Sequence, residues 1–501
     1  MTHLAHIKKY PVLTLSIGIL LLFAVVVFVD PAGFYNTIAQ ASLWVRTWFG
    51  TFYLYLGLGC VLFMLVVAFS RFGKQKLGCP EDRPEFSRWA WIAMLYSAGM
   101  GAGILLRAVQ EPVFMQQNPP IQTGASAETI ALEYTFYQWG FTAWAFYGLF
   151  ALIIGYSLFT KKRSALMSAS IQSITQRKTV THSIDILATV TTVFGLVGAV
   201  GLGTTQINGG LNHITQGDFG LWTTIGITGC IALLAFLSVW KGMHKGIKRI
   251  STLNIWITLA ILIYVFVQSD MVAVVSAFAK AVSRYLKEFI PLSLALGDYN
   301  PGEAFLTDWT YYYWAFWIAW APFTGIFIAR ISRGRSIREL VLGVLIIPAM
   351  GTFFWFSVFG DSAFTLIEQW GSYNNEFGNV FSSIFVFFEQ YPLASVLNII
   401  TLILLVSFLV TSVDSAVFVL SMFTDNGNPE PKRRYRLIWS VGIALFAIAM
   451  LILGNARPDI DVLQALQKLL IITSLPFALF MVVMAGVFLW DIRKRKSEIG
   501  N

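Results

Sequence analysis

Charge is scarce in this chain: of 501 residues, 12% are Asp, Glu, Lys or Arg, against 56% hydrophobic. A soluble domain carries about twice that charged share, so an ordinary water-exposed surface is excluded. Cysteine is scarce too. Cys60, Cys79 and Cys230 make no disulfide framework, and two of them sit in apolar runs, where cysteine acts as a small buried hydrophobe. Histidine occurs only at His3, His6, His182, His213 and His244, without metal-ligand spacing. No Ser-His-Asp or Cys-His set shares a plausible depth, which argues against a membrane-embedded enzyme. A channel would need a pore-loop filter or rings of charge, and neither is found. Linkers and low-complexity stretches are missing as well. The chain reads as one membrane domain with short tails.

What is there is long apolar sequence. Pro11 to Val29, Phe52 to Phe69, Leu253 to Val267 and Leu470 to Trp490 are charge-free over 15–21 residues, and crossing the hydrocarbon takes ~20. Backbone in lipid must satisfy its own hydrogen bonds, so these runs are predicted to be helices. Lys8 and Lys9 ahead of the first run suggest a signal peptide, but the run is too long and no small-residue cleavage site follows. The pattern predicts an all-α polytopic membrane protein with twelve spans, at 11–29, 51–70, 90–110, 136–159, 184–211, 219–240, 253–269, 308–330, 340–360, 394–422, 437–454 and 466–490.

Basic residues test that count. Segments 8–9, 71–88, 161–178, 241–249, 330–338, 432–436 and 493–496 hold 28 of the 35 Lys and Arg, and twelve spans place all seven on one side. The opposite loops, Asp30 to Gly50, Gln216 to Gly220, Tyr373 to Asn379 and Asn455 to Asp461, are poor in them. The positive-inside rule then puts both termini in the cytoplasm. The net charge of +9 speaks for orientation and anionic lipid, not nucleic acid. Between spans seven and eight, Lys280, Arg284 and Lys287 stand among Val, Ala and Phe at helical spacing. That pattern predicts an amphipathic helix at the outer interface.

Three stretches carry chemistry. Span three contains Ser97-Ala-Gly-Met-Gly-Ala-Gly103. Its glycines fit an unwound segment whose free carbonyls and amides bind ions and substrate at the midplane, and they fit equally a tight helix–helix contact. Span eight carries Trp314, Trp317 and Trp320 every third residue, with Phe316 four before Trp320, while span four adds Trp139, Trp144 and Tyr147. Aromatic faces attract quaternary ammonium by roughly 0.5–2 kcal/mol per ring. An interfacial belt is the plainer alternative, yet a belt needs Trp near helix ends and does not explain Pro322 beyond three ring-bearing turns. Span ten has Phe408-Leu-Val-Thr-Ser412, whose hydroxyls suit Na+ or simply bond back to the helix.

Together these stretches resemble the betaine/choline/carnitine transporter family. Trp314-Ala-Phe-Trp-Ile-Ala-Trp-Ala-Pro-Phe-Thr-Gly-Ile-Phe-Ile-Ala-Arg-Ile-Ser-Arg-Gly-Arg-Ser-Ile-Arg-Glu339 looks like its tryptophan-rich signature and cytoplasmic arginine-rich loop. The span-three glycines, Glu111-Pro112 and Gln138 to Trp144 match in order, and the resemblance covers all twelve spans. It implies the inverted-repeat fold of sodium-coupled amino-acid symporters. On that plan 1–89 holds two extra helices, 90–270 one five-helix repeat, 271–307 the amphipathic linker, 308–490 the second repeat, and 491–501 a short cytoplasmic tail. Pro322 to Gly325 would interrupt the first helix of the second repeat, as Gly99 to Gly103 does in the first.

The resemblance also implies a homotrimer and secondary uptake of a glycine betaine-like zwitterion, Na+-coupled, with no cofactor. Its aromatic cage falls on Trp139, Trp144, Tyr147, Phe316, Trp317 and Trp320, with Phe316 in place of a usual Trp, beside Met100, Gly101 and Gly103. Its sodium site falls on carbonyls of Ser97, Met100 and Phe408 and hydroxyls of Thr411 and Ser412. A second sodium site keeps Thr192 but has Leu196 for its other hydroxyl. Proton-coupled choline relatives place an acid where Gly103 stands, and exchangers lack the Thr-Ser pair, so both features favour Na+ symport of a zwitterion. An H+-coupled choline or a taurine/sulfonate carrier is the alternative within the family. A sodium–amino-acid symporter of the same architecture has no need of six rings. Long charged tails tied to osmotic sensing are missing. The departure that matters most is Arg107, where the family usually has an aromatic residue. It would hold a substrate carboxylate or sulfonate, or else pair with Glu111 four residues on.

Overall fold

The computed structural model describes residues 10–99, 101–241 and 244–499. The expectations placed on Met100, Lys8 and Lys9 lie outside them. Among the described residues the chain is helical without strands, and Lys76 and Ser336 form an isolated β-bridge. In chain order the helices are α1 (Pro11–Val29), α2 (Pro31–Phe69), α3 (Arg88–Gly99), α4 (Ala102–Arg107), α5 (Gln110–Gln117), α6 (Ala127–Trp139), α7 (Phe141–Gly155), α8 (Lys178–Thr215), α9 (Leu221–Lys241) and α10 (His244–Gln268). There follow α11 (Met271–Leu294), α12 (Tyr312–Ile331), α13 (Ile337–Trp370), α14 (Ser383–Phe388), α15 (Ala394–Thr424), α16 (Arg433–Gly454) and α17 (Val462–Ile499). Eleven segments among the described residues are long and apolar enough to cross a membrane. The pair α3 and α4–α5, bent by 59°, makes a twelfth, in line with the expected count.

Burial sorts these helices into layers. From Thr142 to Gly155 every residue of α7 is buried, and its most extensive packing is against α12. Such a helix meets protein on every side, so its side chains serve helix–helix packing rather than lipid contact. By contrast α9 and residues 249–268 of α10 bury only a minority of their side chains, and Trp222, Leu233, Trp256 and Ile263 are exposed. Cys230 belongs to that outer face, which corrects its reading as a buried residue; Cys60 is buried as expected.

Two further expectations are corrected. Asp30 to Gly50 is not a loop but the first half of α2. Asp30 caps it by accepting the Gly33 amide at 2.9 Å, and Pro31 starts it. Asn36, Thr37, Gln40 and Arg46 made it look like a loop, but a 39-residue helix spans roughly 58 Å, about twice the hydrocarbon thickness, so half its length needs no apolar surface. Nor does Pro322 to Gly325 interrupt α12, which runs unbroken through both. A proline removes one helical donor, and neighbouring helices in a bundle accommodate that. Gly325 serves close packing instead: a Cβ there would stand 2.4 Å from Phe150 Cβ on α7.

At the end bearing the basic segments, the loop after α2 is sewn to the turn between α12 and α13. Leu77 N–H donates to Arg335 O (2.9 Å), Gly334 N–H to Leu77 O (2.8 Å) and Ile337 N–H to Gln75 O (2.8 Å). Arg335 lies over the Trp91 ring at 4.3 Å, and Trp91 Nε1 donates to Ser332 Oγ at 2.9 Å. The base of α3 is thereby fixed. The amphipathic helix expected around Lys280, Arg284 and Lys287 is α11, capped by the Asp270 carboxylate.

Candidate functional site

The site begins at Gly140, where α6 stops and α7 starts again. A Cβ at this position would meet Phe136 O at 2.4 Å and Phe353 Cζ at 2.6 Å, so only glycine fits. The break sets Trp139 on one side and Trp144 and Tyr147 on the other.

All six expected rings join one network. Trp317 is its hub, with centroids 5.1 Å from Trp139, 6.1 Å from Tyr147 and 5.2 Å from Phe316. Trp144 joins through Tyr147 at 5.4 Å, and Trp320 through Phe316 at 6.1 Å. Four of these pairs are close to perpendicular, at 68° to 85°. A parallel stack would hide the ring faces; perpendicular neighbours turn them in several directions, which is what a cation needs. Trp139, Trp144, Tyr147 and Trp317 are buried, while Phe316 and Trp320 are half-buried. Rings inside the bundle are no lipid-interface belt. Trp314 stands apart: it is fully buried against Tyr137 and Phe146, filling space beside α2 and α7.

Hydrogen bonds fix the orientation of these rings. Trp317 Nε1 donates to Gln138 O at 2.9 Å, and Trp320 Nε1 to Gly195 O at 3.3 Å. Trp139 Nε1 donates to both oxygens of Glu111, at 3.3 and 3.2 Å, and Tyr313 Oη donates to the same carboxylate. Tyr313 also stacks on Trp317 at 5.7 Å and 18°, covering one face of it. Sequence reasoning named Glu111 as part of the family match and as a neighbour of Arg107, not as the anchor of Trp139, and missed Tyr313. The one available signal was its position four residues before Trp317 on the same helix.

Arg107 closes this network. Its Nη1 donates to Gln110 Oε1 at 2.7 Å, its Nε lies 3.9 Å from Glu111 Oε2, and its guanidinium lies over Trp309 at 4.9 Å. The plainer of the two expectations, pairing with Glu111, is present. The contact is long, and the donor held at hydrogen-bond length is the one to Gln110.

Span three is broken as expected. Gly101, the residue before α4, is extended (φ −155°, ψ −175°). A Cβ on Gly101 would find no atom within 4 Å, so tight packing does not account for this glycine. At Gly103 the nearest atom to an added Cβ would be Trp139 Cη2, at 3.5 Å, which puts the broken segment beside the rings. On the other flank α4 packs against α15, which carries Phe408, Thr411 and Ser412. Ser97 Oγ donates to Met94 O and Thr411 Oγ1 to Phe408 O, both at 3.1 Å, and Ser412 is half-buried. Back-bonding uses the hydroxyl hydrogens and leaves oxygen lone pairs for a hard cation. Thr192 and Leu196 line a narrow crevice with Trp320, Phe323 and Ala416. Thr192 Oγ1 is buried there without a hydrogen bond, and the Leu196 side chain offers no oxygen beside it. Among the described residues no group of three His, Cys, Asp or Glu is placed to hold a metal.

Known proteins share this sequence along its length. The family described as BCCT, betaine/carnitine/choline family transporter, matches residues 11–497. The glycine betaine transporter OpuD of Bacillus subtilis (strain 168) is 36% identical over 478 residues, 94% of this chain and 92% of the relative. The ectoine/hydroxyectoine transporter of Virgibacillus pantothenticus is 34% identical, covering 90% of each chain. The high-affinity choline transport protein of Escherichia coli (strain K12) is 32% identical across 97% of this chain and 73% of its own length.

Proposed function

This chain belongs to the betaine/carnitine/choline transporter family, and on that premise we propose that it takes up a glycine betaine-like zwitterion by symport with Na+. It is a multi-pass membrane transporter and not an enzyme. The observation that carries the substrate reading is the buried ring network around Trp317, with its near-perpendicular faces. A trimethylammonium group has no N–H to donate, so it gains from ring faces what it cannot gain from carboxylates. The head group sits among Trp139, Trp144, Tyr147, Phe316, Trp317 and Trp320, beside Met100, Gly101 and Gly103. Arg107 faces the acidic end, its weak hold on Glu111 leaving it able to change partner.

The cation sits between the broken segment and α15, on carbonyls of Ser97, Met100 and Phe408 and hydroxyls of Thr411 and Ser412. Support comes from the contact of α4 with α15 and from the lone pairs of Thr411. Leu196 beside Thr192 argues against a second sodium there. Residues 90–270 and 308–490 form two inverted five-helix repeats behind the two helices of 1–89. Linker 271–307 and tail 491–501 complete a homotrimer subunit with both termini cytoplasmic. The competing reading, H+-coupled carriage of choline or a sulfonate, draws on Glu111, a buried carboxylate bonded to a cage ring.

Labelled glycine betaine uptake into proteoliposomes decides between them. Uptake driven by an inward Na+ gradient, absent with K+, and lost in Thr411→Val is the expected result. Uptake driven by a proton gradient alone, unchanged in Thr411→Val, would overturn the sodium assignment.

A further inference from the structure

The amphipathic helix α11 is more than a surface strap. It lies against α6 and touches the break at Gly140 that sets the angle between the two ring-bearing arms. Tyr285, fully buried, accepts the Phe141 amide on its hydroxyl at 3.1 Å. Phe141 is the first residue of α7, and its amide has no helical acceptor because the chain has just been broken at Gly140. The Tyr285 ring also packs at 5.3 Å on Phe353, the same ring that blocks any side chain at Gly140 and stacks on Phe136 of α6 at 4.4 Å. Tyr285 therefore holds both arms of the break.

The neighbouring residue fixes the α6 arm again. Arg284 Nε lies 2.5 Å from Glu133 Oε2, while its Nη2 meets Thr123 Oγ1 at 2.8 Å and Glu288 at 2.7 Å. Glu133 is completely buried, six residues before Trp139 on the same helix. A buried carboxylate that loses its ion-pair partner must find water or another donor, and moving its helix is one route to both. Two consecutive residues of α11 thus clamp α6 and the start of α7.

We propose that Tyr285 and Arg284 are positioning residues for the substrate site. They set the angle at Gly140, hence the spacing between Trp139 on one arm and Trp144 and Tyr147 on the other, and so the size of head group the cage prefers. This rests on the cage reading given above, and α11 itself contacts no substrate.

The test compares binding of glycine betaine and dimethylglycine to the purified full-length protein by calorimetry, in wild type, Tyr285→Phe, Arg284→Gln, Arg284→Lys and Trp317→Ala. Tyr285→Phe keeps the ring and removes only the hydroxyl. The expected result is at least a threefold fall in the preference for the trimethyl over the dimethyl head group in Tyr285→Phe and Arg284→Gln. Part of that preference returns in Arg284→Lys. A purely structural brace would lower the thermal midpoint and leave the preference intact. An unchanged preference in Tyr285→Phe and Arg284→Gln, with binding lost in Trp317→Ala, overturns the positioning role and leaves the cage standing. Intact binding in Trp317→Ala sinks the cage, and this inference with it. Should Arg284→Gln not fold, Tyr285→Phe decides alone.

Discussion

Two glycine breaks flank the ring network, and they exist for opposite reasons. At Gly140 there is no room: backbone and Phe353 both crowd the missing Cβ. At Gly101 there is nothing within 4 Å, and the extended backbone is one that any residue adopts. The first break is forced by packing and acts as a rigid corner. The second is not forced by any neighbour. The first fixes the angle between the two ring-bearing arms, and in the function proposed above the second frees backbone groups to act as ligands.

The largest effect should follow from blunting that contrast at its crowded end. Gly140→Ala is expected to destabilise the protein by about 3 kcal/mol, the upper end of over-packing because the nearest neighbour is a backbone carbonyl. It is read as a lowered thermal midpoint and reduced yield of folded protein. A mild effect would mean that the corner is soft. Next comes the polar link between the corner and the open break. Arg107→Gln leaves Glu111 buried with only Trp139 and Tyr313 as donors. A loss of about 2 kcal/mol is expected, below the usual 3–5 for a broken buried pair, since the contact is long and the carboxylate keeps two partners. The Arg107→Gln, Glu111→Gln double variant should recover most of it. At the open end, Gly101→Ala is expected to change stability by less than about 0.5 kcal/mol while cutting Na+-driven uptake severalfold. Lost stability without lost uptake would erase the distinction between the two breaks.

The smallest effect lies far from either break. Asp82 accepts the Cys79 amide at 3.1 Å and the Arg333 guanidinium at 3.3 Å, and these hold its carboxyl below the usual carboxylate range. Because its folded value is lowered, its stabilisation is present above the unfolded value near 3.8 and is lost only as pH falls through the lowered one. Thermal stability should therefore be insensitive to this group from pH 5 to 8. Asp82→Asn should run parallel to wild type over that range, as expected of an exposed ion pair.

Much of this was readable from residue order. Twelve apolar segments emerged from charge scarcity and the basic loops, and six rings on two separate spans do meet. What stayed hidden has a common cause. Gly140 is decided by Phe353, and the anchoring of Trp139 by Tyr313 and Glu111, partners far away in the chain that no local period reveals. Pro322 shows the reverse failure. A local rule marks proline as a break, yet one lost hydrogen bond inside a packed bundle is tolerated and α12 continues. Asp30 and Pro31 were a correct helix start that the polar residues after them disguised.

The claim beneath all of this is that ring faces, acting on charge, hold the head group. Glycine betaine and 3,3-dimethylbutyrate have nearly the same shape and the same carboxylate, and they differ in a positive nitrogen against a neutral carbon. Calorimetric binding of both to the wild-type protein in Na+ should favour glycine betaine by at least tenfold, the sum of several contacts of about 0.5–2 kcal/mol. Equal affinity for the two would contradict the account, since the rings would then be recognising shape alone.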